Sequence, residues 1–279
     1  MLQVARLAPT LLEEAGEYVA AFVRGQFNED GGARDRAGKS DLYYTVFALE
    51  SLIALRQDPP PEKVRPYLEG FGVGEGLDFV HLTCLARCWA ALPKGSLDPA
   101  RAGRLSARVE TFRAKDGGYC STPGSAAGTV YHGFLALGAL QDLDGTPPDT
   151  LAPSIVSHQS ADGSFAGTTP TTAGAVTALR NLGAPVPSGA GEWLLKRAAP
   201  EGGFRATPDA PIPDLLSTAT ALHALAGMKV PFGHLKEKCL DFVDTLWTGK
   251  AFCGSWADEA QDCEYTYYAL LSLGHLSLA

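Results

Sequence analysis

Asp262-Cys263-Glu264-Tyr265 sets two carboxylates and a phenol side by side at the head of an apolar run that continues to Leu273. A carboxyl group kept protonated by a dry setting can deliver a proton to an alkene or epoxide, and polar neighbours can orient it. Glu264 is therefore the candidate acid, with Asp262 and Tyr265 as its orienting neighbours. Two effects oppose each other at Glu264: a first-turn position favours the ionised form through the helix dipole, whereas burial favours the protonated one. Asp41, Asp78 and Asp214 open comparable runs. An aspartate there also caps a helix by accepting backbone N–H bonds.

The fourth position of these runs reads Tyr44, His132, Ser217 and Tyr265, with His81 at a comparable place. Helices arranged in a ring would bring these groups to one mouth. Tyr43, Phe47, Phe79, Tyr131, Phe134, Tyr267, Tyr268 and Trp256 could line a cavity of aromatic faces able to stabilise a cation. Substrate contacts are expected from Tyr44, His81, His132, Asp214, Trp256 and Tyr268.

Other patterns carry less chemistry. Asp78, His81, Cys84 and Cys88 lie along one helical face, but the array spans roughly 15 Å, too long for one tetrahedral ion to use all four. The alternate glycines from Gly70 to Gly76 follow no strand, so they are not a phosphate loop.

The elements that must position these residues come from an internal repeat. Gly31-Gly32, Gly117-Gly118-Tyr119, Gly163-Ser164-Phe165, Gly202-Gly203-Phe204 and Gly254-Ser255-Trp256 each precede an apolar helical run, and a degenerate copy follows the Gly72 to Gly76 turn. Six copies at a period of roughly 40 to 50 residues predict a repeat architecture. The second helix of each repeat is expected over 41–56, 78–92, 128–142, 171–182, 214–227 and 262–275. These helices are apolar on most faces and suit an inner ring. The charged first helices are expected over 10–24, with Thr10 and Glu13 as a capping box, near 62–70, from Asp98, and near 149–159, 188–198 and 233–247. The prediction is an all-α protein: one α/α barrel domain over 1–279, six helical hairpins with an inner ring inside an outer ring.

Net charge of -8 and a pI near 5.2 argue against a sequence-independent nucleic-acid or anionic-membrane surface. The N-terminal residues fit no signal or transit peptide, and no apolar stretch reaches 18 residues. The six cysteines form no Cys-x-x-Cys pair and read as reduced thiols, for which a cytoplasmic location is expected.

The glycine–glycine–aromatic turn followed by a helix opening on aspartate resembles the prenyltransferase and squalene-cyclase repeat, shared by protein prenyltransferase β subunits and class II terpene cyclases. The resemblance covers nearly the whole chain. It implies an apolar isoprenoid substrate held in the barrel. In the transferases an Asp-x-Cys pair and a later histidine hold zinc; here Asp214, Leu216 and Tyr265 match those positions. The resemblance therefore implies no zinc and no other defined cofactor, with magnesium left open. In the cyclases an Asp-x-Asp-Asp motif supplies the acid; Glu264 falls in the acid's column and Tyr265 in that of the next carboxylate. The first expectation is acid-initiated carbocation chemistry. The alternatives are a divergent β-subunit-like transferase that uses a prenyl diphosphate with a partner subunit, and a non-catalytic lipid-binding or interaction scaffold.

Overall fold

Every inner helix starts the same way. A residue with extended backbone stops the chain from entering the helix one turn early, and its side-chain oxygen accepts a first-turn N–H. Asp41, Asp78, Thr129, Thr168, Asp214 and Asp262 do this for Tyr43 and Tyr44, His81, His132, Thr171, Ser217 and Tyr265 respectively. In the computed structural model, which describes residues 1–279, the helices are α1 (Leu2–Ala5), α2 (Pro9–Leu12), α3 (Ala15–Arg24), α4 (Leu42–Ala54), α5 (Pro61–Glu69), α6 (Phe79–Ala91), α7 (Pro99–Glu110), α8 (Val130–Asp142), α9 (Leu151–Val156), α10 (Thr169–Asn181), α11 (Ala190–Leu195), α12 (Leu215–Gly227), α13 (Lys236–Thr245) and α14 (Cys263–Leu276). A two-stranded hairpin, β1 (Cys253–Ser255) with β2 (Asp258–Gln261), precedes α14.

The even-numbered helices from α4 to α14 pack each on the next, and α14 packs back on α4, so the inner ring closes. Odd-numbered helices from α3 to α13 each pack on the inner helix that follows in the chain. First turns of neighbouring inner helices touch through Tyr43 and Glu264 and through His81 and Asp41, so the N-terminal ends share one mouth. The short α1 lies against α14 and α4 at the opposite end, where a Cβ on Gly274 would come 2.1 Å from the Val4 carbonyl oxygen. The inner helices are buried almost throughout, which explains their apolar sequences.

Two devices join the repeats. The glycine turns pack on the next outer helix: a Cβ on Gly31 or Gly202, both at positive φ, would lie 2.0 Å from the carbonyl oxygen of Lys63 or Lys238. A buried threonine near the start of the inner helix ties the turn from inside. Thr45 accepts from the Ala33 N–H, Thr172 from Phe165 and Thr218 from Phe204, each at 2.9 Å.

Three expectations need correction. Thr10 and Glu13 form no capping box: the chain makes the short α2, Glu13 takes a positive φ of 48°, and the long outer helix begins only at Ala15. Thr168, not Thr171, opens α10, because Pro170 suits a first-turn position whose N–H has no helical partner. Several outer helices are shorter than their sequence pattern, α9 and α11 having only 6 residues each.

Candidate functional site

The register of the inner helices sorts their side chains into layers. Two residues after each cap stand Tyr43, Val80, Tyr131, Pro170, Leu216 and Glu264; the first five line an apolar cavity inside the ring. One turn deeper, Phe47, Cys84, Leu135, Gly174, Thr220 and Tyr268 all line it. The cavity encloses about 250 Å³, and 13 of its 18 lining residues are hydrophobic. Aromatic rings of α4 and α14 form one wall: Phe47 lies 5.0 Å from Tyr43, 5.5 Å from Tyr268 and 5.7 Å from Tyr267, centroid to centroid.

Glu264 holds the sixth place of the upper layer, and its carboxylate accepts a 2.6 Å hydrogen bond from the hydroxyl of Tyr43. Burial pushes the Glu264 carboxyl up to about 6, against the lowering effect of the Tyr43 bond; the charge of Asp262 adds to the rise. Desolvation thus outweighs both the Tyr43 bond and the opposing charge of Arg36. Burial also raises the Tyr43 phenol, and the nearby Tyr268 and Glu264 raise it further.

Asp262 is buried, caps α14 through the Tyr265 N–H at 2.9 Å, and meets Nε of Arg36 at 2.9 Å. Arg36 also reaches Asp258 at 2.8 Å and lies 5.5 Å over the Tyr265 ring. One guanidinium thus ties the first repeat's turn to the last repeat's hairpin. Burial raises the Asp262 carboxyl, with the Tyr265 N–H and Arg36 opposing. The structure therefore brings Asp262 and Tyr265 close to Glu264 along the chain, but the side chain that touches the Glu264 carboxylate is Tyr43.

The residues three positions after the caps face the rim. His81 bridges two caps, with Nδ1 2.8 Å from Asp78 and Nε2 3.1 Å from Asp41. Burial disfavours its protonation, but the bonds to Asp78 and Asp41 outweigh this and raise its pKa. His132 pairs with the Thr129 hydroxyl at 2.7 Å and packs edge-on against Phe79; burial lowers its pKa. Tyr44 packs edge-on against Tyr43. Asp214 holds the N–H and hydroxyl of Ser217, both at 2.7 Å, and burial raises its carboxyl. Of the expected substrate contacts, only Tyr268 lines the cavity wall. Trp256 lies outside the ring, half exposed against Phe242, with its indole N–H on Thr245.

A third layer lies nine residues after the caps, where Glu50, Arg87, Gly138, Thr177 and His223 line a second cavity of about 340 Å³. Glu50 and Arg87 form an ion pair between α4 and α6. Sequence reading passed over both, although each is a lone acid or base within its apolar inner helix and the two share one register.

No helix is long and apolar enough to cross a membrane. No curated protein matches the sequence. Among solved structures, a variant of type II terpene cyclase MstE from Scytonema, in complex with the substrate geranylgeranyl dihydroxybenzoate, superposes with a TM-score of 0.69 at 15% identity over 96% of this chain and 97% of that one. Another MstE variant, with the product merosterolic acid A, gives 0.68 at 14% identity over 97% of each chain. Protein geranylgeranyltransferase-I of Candida albicans, complexed with GGPP, gives 0.41 at 16% identity over 98% of this chain and 83% of that one. At these identities the MstE likeness is one of fold. The prenyltransferase alpha-alpha toroid domain family matches residues 12–83, 83–176 and 172–278, and with the closed ring of paired helices this shows that the chain belongs to that family.

Proposed function

We propose that the protein is an isoprenoid-processing enzyme that begins carbocation chemistry by protonating an alkene or epoxide, with Glu264 as the acid. The observation that carries this reading is the register: Glu264 is the one carboxyl residue two or six positions past a cap, the positions whose other members line the apolar cavity, and it is hydrogen-bonded to Tyr43 of that lining. A carboxyl held up to about 6 by burial keeps a substantial protonated fraction near neutral pH.

In the first step the O–H bond of Glu264 breaks as a C–H bond forms at one alkene carbon, or an O–H bond at the epoxide oxygen. The substrate becomes a cation and Glu264 a carboxylate. The Tyr43 hydroxyl already donates to that carboxylate and so stabilises the charge as it develops. Ring faces of Tyr43, Phe47, Tyr267 and Tyr268 stand around the place where the cation would form, and a ring face attracts a cation. Loss of a proton ends the sequence in a cyclised or isomerised alkene, capture of water with loss of one of its protons ends it in an alcohol, and the proton released to solvent is made good when the Glu264 carboxylate is reprotonated.

A transferase mechanism through zinc finds no support in the donor set. Leu216 contributes an apolar wall where a thiolate would be required, Asp214 is engaged by Ser217, and the Tyr265 phenol is pushed up to about 12, chiefly by burial. The mouth also offers little to a diphosphate, since His81 and Arg36 are both committed to aspartates.

The test is incubation of the purified protein with prenylated alkenes and terminal epoxides of graded length, with mass spectrometry for isomeric or hydrated products. Turnover that is lost in Glu264→Gln supports the reading. Turnover at the wild-type rate in that variant overturns it.

A further inference from the structure

The ring closes where α14, its last inner helix, packs on α4, its first, and the bond between Glu264 and Tyr43 crosses that seam. A second tie crosses it at the same end. Arg36 stands in the turn between the paired residues Arg34 and Ser40 of the first repeat. It donates from Nε to Oδ2 of Asp262 at 2.9 Å and from a terminal nitrogen to Asp258 at 2.8 Å. The turn that presents it is internally braced. The Asp35 carboxylate accepts from the N–H groups of Ala37 and Lys39, both at 2.8 Å, and Gly38 takes the positive φ of 83°.

Capping alone does not account for this arrangement. Thr129 and Thr168 cap α8 and α10 with a hydroxyl, so a neutral oxygen suffices for the first-turn N–H. Asp262 is only 4% exposed, and a buried carboxylate is costly unless it is paired. It divides its oxygens: Oδ1 accepts from the Tyr265 N–H and Oδ2 from Arg36. Of the six inner caps it is the one held by a guanidinium, and it opens the helix that carries Glu264.

We propose that Arg36, contributed by the first repeat, is a positioning residue for the acid of the last: its two-armed clasp on Asp262 and Asp258 holds Glu264 against Tyr43 across the seam. This rests on the reading of Glu264 as the acid given above. Glu264 follows Asp262 by two residues in the first turn of α14, so a cap that drifts from the first repeat carries the carboxyl away from Tyr43. A displacement of about 1 Å at a reacting group can cost about 100-fold in rate.

The clasp also brings charge to the site. The titratable groups around Glu264 are Tyr43 and Tyr44 of α4, Tyr131 of α8, and Asp262, Tyr265 and Tyr268 of α14. Asp262 raises the Glu264 carboxyl and the charge of Arg36 lowers it. Without Arg36, burial and Asp262 act together, opposed only by the Tyr43 bond. Geometry and charge are separable by substitution. Lysine keeps the charge but not the planar fork that spans two carboxylates, whereas glutamine keeps neither.

The experiment follows the Glu264 carboxyl by 13C NMR in the full chain labelled at glutamate, with the resonance assigned by its absence in Glu264→Gln. Melting is recorded on the same samples. Arg36 has a side chain 42% exposed and Asp262 Oδ1 keeps its capping bond, so Arg36→Gln is expected to fold. It should raise the Glu264 midpoint from about 6 by roughly half a pH unit or more and lower Tm by at least about 2 °C. Arg36→Lys should return the midpoint to the wild-type value and leave Tm low. A clasp that is merely structural would lower Tm in both variants and leave both midpoints in place, and that result overturns the proposal, as does an unchanged Tm in Arg36→Gln. In the turnover assay, Arg36→Gln should lose about 10-fold or more in kcat even near pH 5, where the acid is protonated in both proteins. A wild-type rate there also overturns the proposal. If midpoint and Tm move as expected while the wild type turns over no prenylated alkene or epoxide, the clasp stands and the acid-initiated reading falls instead.

Discussion

Glu264 and Tyr43 share a 2.6 Å hydrogen bond, and each partner of the proposed acid unit can be tested alone. Glu264→Gln keeps size and most contacts but removes the transferable proton, so kcat should fall by about 100-fold or more with the far-ultraviolet spectrum unchanged. Tyr43→Phe removes the larger of the two effects that lower the Glu264 pKa and leaves only the charge of Arg36 to oppose burial. The rate should drop less, and the basic limb of the pH profile, set by the acid's loss of its proton near pH 6 in the wild type, should move to higher pH. A profile that does not move would show that the Tyr43 bond is not what tunes the acid. Stability carries the same signature. A carboxyl raised from 4.5 to about 6 on folding contributes stability that is full below pH 4.5 and is lost as pH rises through 6. Denaturant titrations at pH 4.5 and 6.5 should show that decline shrinking in Glu264→Gln.

The inner helix with its cap, glycine turn and buried threonine is the unit that sets register, and register decides which side chains see the lumen. Six such starts were legible because glycine turns, capping residues and apolar periodicity recur in the chain. The azimuth was legible only in part. Tyr44, His81, His132 and Tyr265, expected at the mouth, stand one residue past the register that lines the cavity, whereas of the aromatic residues expected around it Tyr43, Phe47, Tyr131, Phe134, Tyr267 and Tyr268 do line it and Phe79 and Trp256 do not. One residue turns a helix by about 100°, and only the packing of six helices on one another fixes which way each faces. Glu264 falls in the same register, two residues past its cap. The third-layer charges were missed because a lone Glu50 or Arg87 reads as an ordinary surface residue until the ring is closed. The threonine tie is testable at this scale: Thr218→Val leaves the Phe204 N–H buried without its acceptor. A cost of about 1–3 kcal/mol is expected, read as a fall of several degrees in Tm.

At the scale of the whole molecule, two measurements bear on the reading. Elemental analysis after mild dialysis should find no stoichiometric zinc, because Leu216 is no ligand and Tyr265 lies under Arg36 with its ring against Gly254. One tightly bound zinc per chain would return a transferase reading to first place. Gly274→Val should lower Tm, since its Cβ would strike the backbone of Val4 where α1 meets α14.

The packing of α14 on α4 also has a kinetic side. These two helices are more than 200 residues apart in the chain, so the last contact of the ring is among the most non-local the chain can make. Until it forms, the nascent protein is an open arc with the apolar inner flank of α4 uncovered, a surface suited to association with other chains. Folding should therefore be slow at its final step and sensitive to protein concentration, and the seam that completes the lumen is also the place where synthesis leaves the chain exposed longest.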